Sequence, residues 1–145
     1  MTLKLCMALA LVLSFSSVAW SHDAKDEDAI QGTWLASTAE FGGLKFPDEV
    51  RKSIKLVIKD GKYTVTVGGQ PDKGTSKLDP SAKPKAMDVT GTEGPNKGKT
   101  ILAIYERKGD TLRVCYDLSG KNRPTEFKTK AGTQLFLVTY KRAKP

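Results

Sequence analysis

Eight short runs in which apolar and polar residues alternate fill the chain from Trp34 to Lys141, most of them separated by turn-forming residues. Alternation of period two sends successive side chains to opposite faces of an extended strand, so the pattern commits this region to β structure. The runs fall at 34–40, 54–58, 63–67, 75–78, 86–92, 100–107, 111–117 and 133–141, the fourth being the weakest. Asp60-Gly61, between the second and third, is a strong hairpin signal, because a two-residue turn of the right twist needs positive φ at both positions. Gly94-Pro95-Asn96-Lys97-Gly98 joins the fifth run to the sixth, and Lys108-Gly109-Asp110 turns the sixth into the seventh. Two prolines make 79–84 a loop, since each removes a ladder donor. Pro47, followed by Asp48 and Glu49, predicts one short helical turn over 47–52.

Sequential strands with mostly short connections predict an all-β fold: an eight-stranded antiparallel up-and-down barrel with one short helical turn. Closure of such a barrel leaves no open strand edge. The alternation also names the inward side chains. They are Ile54, Leu56 and Ile58; Tyr63, Val65 and Val67; Met87 and Val89; and Leu112, Val114 and Tyr116. The sixth and eighth runs are apolar on both faces, which predicts a helix or terminus covering their outer side. An eight-stranded barrel is just wide enough to be filled by side chains or to hold one small ligand. With residues of this size pointing inward, a nearly filled interior is expected.

At 145 residues one domain is the default. Lys4, the apolar run 5–15 and the small-x-small pattern Ala19-Trp20-Ser21 have the layout of a secretory signal peptide over 1–21. The apolar run is too short to span a bilayer, and no later stretch is longer. The mature chain is therefore expected to be exported, periplasmic or extracellular, with no transmembrane helix. Residues 22–29 are nearly all polar and read as a flexible segment, leaving 30–145 as the barrel domain. One His and two Cys exclude a Cys/His zinc cage, a disulfide framework and a multi-histidine metal centre, and no cofactor is expected. The net charge of +8, one unit lower without the leader, is spread along the chain. It suits anionic envelope surfaces better than a specific nucleic acid, and few aromatics remain to stack bases.

Gly32-Thr33-Trp34 opens the first strand, and a basic stretch, Lys141-Arg142, closes the last. A Gly-x-Trp there, with a late cation over the indole, resembles the lipocalin and calycin signature. The tryptophan would plug one end of the barrel under Arg142 or Lys141. A longer match runs through Phe46-Pro47, Lys77-Leu78-Asp79-Pro80, the stretches 83–88 and 94–101, Tyr105-Glu106, 109–112, Cys115 and Arg123-Pro124-Thr125-Glu126-Phe127. Together these resemble an uncharacterised lipocalin-like domain family found mainly in planctomycete bacteria, often in exported proteins. The resemblance implies a small β-barrel and brings no activity, substrate or cofactor with it.

The remaining motifs have plain readings. The stretch 94–100 has three residues between its glycines where a phosphate-binding loop needs four, and it precedes a strand instead of a helix; it reads as a hairpin loop. Cys115 lacks a nearby His to activate it and reads as a packed core residue. Arg123 and Phe127 sit in the long loop before the last strand. They would either hold an anionic ligand at the barrel mouth, or pack structurally, Arg123 pairing with Asp117 or capping carbonyls and Phe127 closing the barrel end. Asp88, Glu93, Glu106, Asp110 and Asp117 are scattered, most of them at turns or on outward faces, where a glycosidase would need two converging at a cleft. The expectation is a non-enzymatic monomer binding a small apolar or amphipathic ligand, with Trp34, Tyr63, Met87, Tyr116, Arg123 and Phe127 at the pocket walls and mouth. The alternative is a protein–protein or inhibitor module of the cell envelope, with a filled barrel and an exposed apolar patch near Phe41-Gly42-Gly43-Leu44.

Overall fold

In the computed structural model, residues 22–144 are described, and the leader read at 1–21 lies outside them. The elements run α1 (His22–Ile30), β1 (Gly32–Phe41), β2 (Leu44–Lys45), α2 (Asp48–Lys52), β3 (Lys55–Lys59), β4 (Lys62–Val67) and β5 (Gln70–Asp79). They continue as β6 (Ala86–Glu93), β7 (Thr100–Lys108), β8 (Thr111–Asp117) and β9 (Leu135–Arg142). All pairings within the sheet are antiparallel. β9 returns to β1 over a register from Trp34 opposite Arg142 to Phe41 opposite Phe136. β1 and β3 to β9 thus make a closed eight-stranded barrel, and β2 is a two-residue flap on the end of β1.

The inward faces follow the alternation. Leu56, Ile58, Tyr63, Met87, Val89, Leu112 and Val114 are all buried in one core with Ile54. β5 is far longer than the sequence suggests, because Pro71 and Gly74 are tolerated inside it. Pro71 lies before the β6 ladder begins at Lys73. Gly74 sits at a register shift where a Cβ would come 2.0 Å from the Thr90 carbonyl oxygen and 2.7 Å from the Tyr63 ring. Only glycine lets β6 and that ring come so close.

One end of the barrel is plugged. The segment expected to be flexible is instead α1, and Ile30 anchors it in the core. Its polar sequence hides it, because the helix is held by tertiary hydrogen bonds more than by an apolar face. The last carbonyls of a helix have no partner within it, and here those of Asp28, Ala29 and Ile30 find one. The Gln31 amide donates to Asp28 O at 3.4 Å, Arg142 Nη2 to Ala29 O at 2.7 Å and Trp34 Nε1 to Ile30 O at 2.8 Å. Arg142 Nη1 donates to Gln31 O. The guanidinium also stacks 4.2 Å above the indole of Trp34, which is wholly buried, and its Nε reaches Asp110. Arg142 is thus the cation over the tryptophan, while Lys141 points outward to Thr111.

Further along α1, Asp26 accepts hydrogen bonds from Lys85 Nζ at 2.8 Å and Tyr105 Oη at 2.7 Å. Burial pushes its carboxyl pKa up, but these two bonds and the Lys85 charge outweigh it, and the net shift is downward.

Two outcomes follow for the plugged end. Arg142→Ala should cost about 2–3 kcal/mol in urea unfolding, from a cation–π contact and three charge-assisted bonds lost together, the one to exposed Asp110 adding little, while Lys141→Ala should stay within about 0.5 kcal/mol. A carboxyl with a lowered folded-state pKa stabilises above its ordinary value and loses that contribution as the pH falls through the lowered one. Docking of α1 should therefore hold above the ordinary Asp pKa of 3.8 and weaken below it. Amide signals of α1 should report this in NMR titration, and Asp26→Asn should remove that step.

Candidate functional site

The opposite end of the barrel is open and leads into a cavity of about 240 Å³. The interior is therefore filled only at the plugged end, which corrects the expectation of a nearly filled barrel. Trp34 and Leu112 are wholly buried there. Beyond them the wall is built from Leu56 and Ile58 of β3, Val65 and Val67 of β4, Met87 and Val89 of β6, and Phe136 of β9. Phe136 belongs to an aromatic cluster on the rim, with ring centroids 5.9 Å from Tyr116, 5.5 Å from Phe46 and 6.5 Å from Phe41.

The mouth is partly roofed by the β6–β7 loop. Gly91 lies on the inward face of β6, and a Cβ there would stand 2.0 Å from Asn96 O. Its missing side chain lets the loop fold inward, held by bonds such as Gly98 N to Gly91 O at 2.9 Å. Pro95 and Asn96 consequently reach the cavity. The stretch 94–98 is the hairpin connection that its spacing indicates, and it also shapes the mouth.

Polar groups converge in the apolar chamber. Asp72 of β5 is only 7% exposed and accepts hydrogen bonds from the Asn96 amide at 3.2 Å, Asn96 Nδ2 at 3.0 Å and Tyr63 Oη at 3.3 Å. The Tyr116 and Tyr140 hydroxyls lie 3.4 Å apart and share one hydrogen bond. Burial raises the pKa of all three phenols. The Asp72 carboxylate adds to the rise at Tyr63, and the neighbouring hydroxyl adds to it at Tyr116. Tyr140 is pushed up to about 12. All three therefore stay neutral hydrogen-bonding groups across the physiological pH range.

Of the residues expected at the pocket, Tyr63, Met87 and Tyr116 line the cavity. Trp34 does not; it is spent on the plugged end. Arg123 and Phe127 are corrections too, since both lie on the outer surface of the barrel. The segment 118–134 folds back as a strap over the outer face of β6, β7 and β8. Of the cover expected over the sixth and eighth runs it supplies that over the sixth, β7, though as a loop and not a helix or terminus. Arg123 donates to the carbonyls of Met87 at 3.1 Å and Ala103 at 2.8 Å and pairs with Asp88 instead of Asp117. Asp117 is occupied in shaping the start of the strap, accepting from the Ser119 and Asn122 amides. Phe127 lies under the Arg113 guanidinium at 4.2 Å, away from the barrel end. Thr129 bonds to Glu40 and to the Gly43 amide, fastening the strap to β1.

Beneath the strap, Ile104 and Cys115 are sealed on the outer face, Cys115 at 0% exposure. Burial pushes the Cys115 thiol pKa up, only partly offset by backbone hydrogen bonding at Lys128 and by the Arg113 charge. Such a thiol lacks the exposure and thiolate character that a nucleophile needs. Among the described residues, no group of three or more His, Cys, Asp and Glu side chains gathers to hold a metal ion, and no helix is long and apolar enough to cross a membrane.

The residue that sequence reasoning missed is Asp72. Counting back by twos from Leu78 through Ser76 and Gly74 reaches it, but Pro71 and two preceding glycines disguise the strand as a turn. Neither a protein-family model nor a curated protein matches the chain.

The sealed thiol has a checkable consequence. In the native protein Cys115 should react with a thiol reagent about 100-fold slower than in guanidinium, read by mass spectrometry of its peptide. Rapid native labelling would show that the strap opens.

Proposed function

We propose that the protein is an exported, non-enzymatic member of the lipocalin-like family it resembles, and that its cavity binds a small apolar or amphipathic ligand. The observation that carries this reading is the chamber of about 240 Å³, apolar on its walls and open at one end. A dry apolar cavity of about 150 Å³ already accepts benzene, so this one suits a guest of roughly eight heavy atoms. A few polar groups placed among apolar walls are the usual make-up of a binding pocket, fixing a ligand's orientation. The leader-like sequence at 1–21 supports export, and the sealed Cys115 supports a binding role over a catalytic one.

A second reading, an interaction or inhibitor module of the cell envelope, draws on the lip of the barrel. Leu44 is 75% exposed and Phe41 36%, beside the rim aromatics. That reading expected a filled barrel, and the chamber weighs against it.

Titration with hexan-1-ol, followed by methyl NMR, should shift the signals of Leu56, Val65 and Val89. Val89→Phe, which fills the chamber, should weaken binding at least about 10-fold while leaving the fold intact. Methyl shifts confined to Leu44, or none at all, would overturn the small-ligand reading.

A further inference from the structure

Inside the cavity, Asp72 is a buried carboxylate without a counter-ion. Asp26 meets Lys85 and Asp88 meets Arg123, while Asp117, the other buried acid, faces the strap and is satisfied by bonds from Ser119 and the Asn122 amide, two of them 2.6–2.8 Å long. Among the described residues no Lys or Arg forms an ion pair with Asp72. Its three donors, Tyr63 Oη and two Asn96 nitrogens, are neutral and stand 3.0–3.3 Å away. Charge-assisted bonds to a carboxylate normally close to about 2.7–2.9 Å, so these contacts leave the carboxylate with acceptor capacity to spare.

We propose that the cavity selects a small amine-headed amphiphile, a primary ammonium on a short apolar body, and that Asp72 reads the head. The inference rests on the small-ligand reading above and names the class of ligand. Asp72 has already lost most of its water in the empty barrel, so the guest alone bears the remaining desolvation. An ammonium then supplies the missing opposite charge together with three donors. The rings of Tyr63 and Tyr116 line the same chamber. A neutral alcohol would gain one hydrogen bond and no charge. A carboxylate head would face a like charge in a chamber too apolar to screen it. The apolar walls at Leu56, Val65 and Val89 take the body, and the chamber limits it to about six to eight carbons.

The test compares three probes of equal length: hexylamine, hexan-1-ol and hexanoate, each titrated calorimetrically at neutral pH. Hexylamine should bind at least about 10-fold more tightly than hexan-1-ol, and hexanoate more weakly than either. Asp72→Asn keeps the shape and one acceptor oxygen but removes the charge, and should bring amine and alcohol within about 3-fold of each other. Should that variant fail to fold, nuclear Overhauser contacts in the unmodified protein serve instead. The CH₂ beside the ammonium should lie against the Tyr63 and Tyr116 ring protons. If alcohol and amine bind equally, if hexanoate binds as well as either, or if the amine head points away from those rings, the assignment of Asp72 fails and the small-ligand reading stands. If none of the three shifts the cavity methyls, both fail.

Discussion

Arg142 is where the barrel is tied shut. It ends the last strand, stacks on the tryptophan that opens the first, and donates to two carbonyls at the end of the helix that precedes both. A barrel closed by its first and last strands gathers its local hairpins into one sheet only when those strands meet. A planar cation with a fork of donors suits this junction better than an ammonium would, because it stacks and donates in several directions at once. Trp34, capped from above and bonded to Ile30 through its indole nitrogen, then becomes a fixed plug.

Plugging one end gives the molecule a direction. Large side chains fill the interior near Trp34, and the space they leave collects at the far end, under a loop that only a glycine at position 91 allows to fold inward. A second missing side chain, at Gly74, lets the Tyr63 ring lie across β5 so that its hydroxyl meets Asp72. The chamber is thus shaped as much by absent side chains as by present ones. Its polar groups form a compact set in which every phenol is held neutral by burial.

The outer surface has a different logic. On the outer faces of β7 and β8, Ile104 and Cys115 would otherwise stand in water. The strap at 118–134 covers them, pinned by Arg123 to two backbone carbonyls and by Thr129 to β1. Reactive groups that stand out in the sequence are thereby turned to structural use: the lone thiol is sealed, and the loop arginine is bound to the sheet.

The sequence by itself determined the strands, their order, most of their inward faces and three of the cavity residues. Each of those depends on alternation and turn chemistry among near neighbours, as in the Asp60-Gly61 hairpin or the Leu112, Val114, Tyr116 face. Closure and register decided the rest. They chose Arg142 over Lys141 as the cation on Trp34, because only one of two adjacent strand residues can point inward. They ordered α1 through partners more than fifty positions away, carried Arg123 and Phe127 to the outside, and brought Asp72 within the reach of Asn96. Contacts between such distant parts of the chain have no local signature, and Asp72 in particular sits among a proline and glycines that behave as a strand only once β4 and β6 flank them.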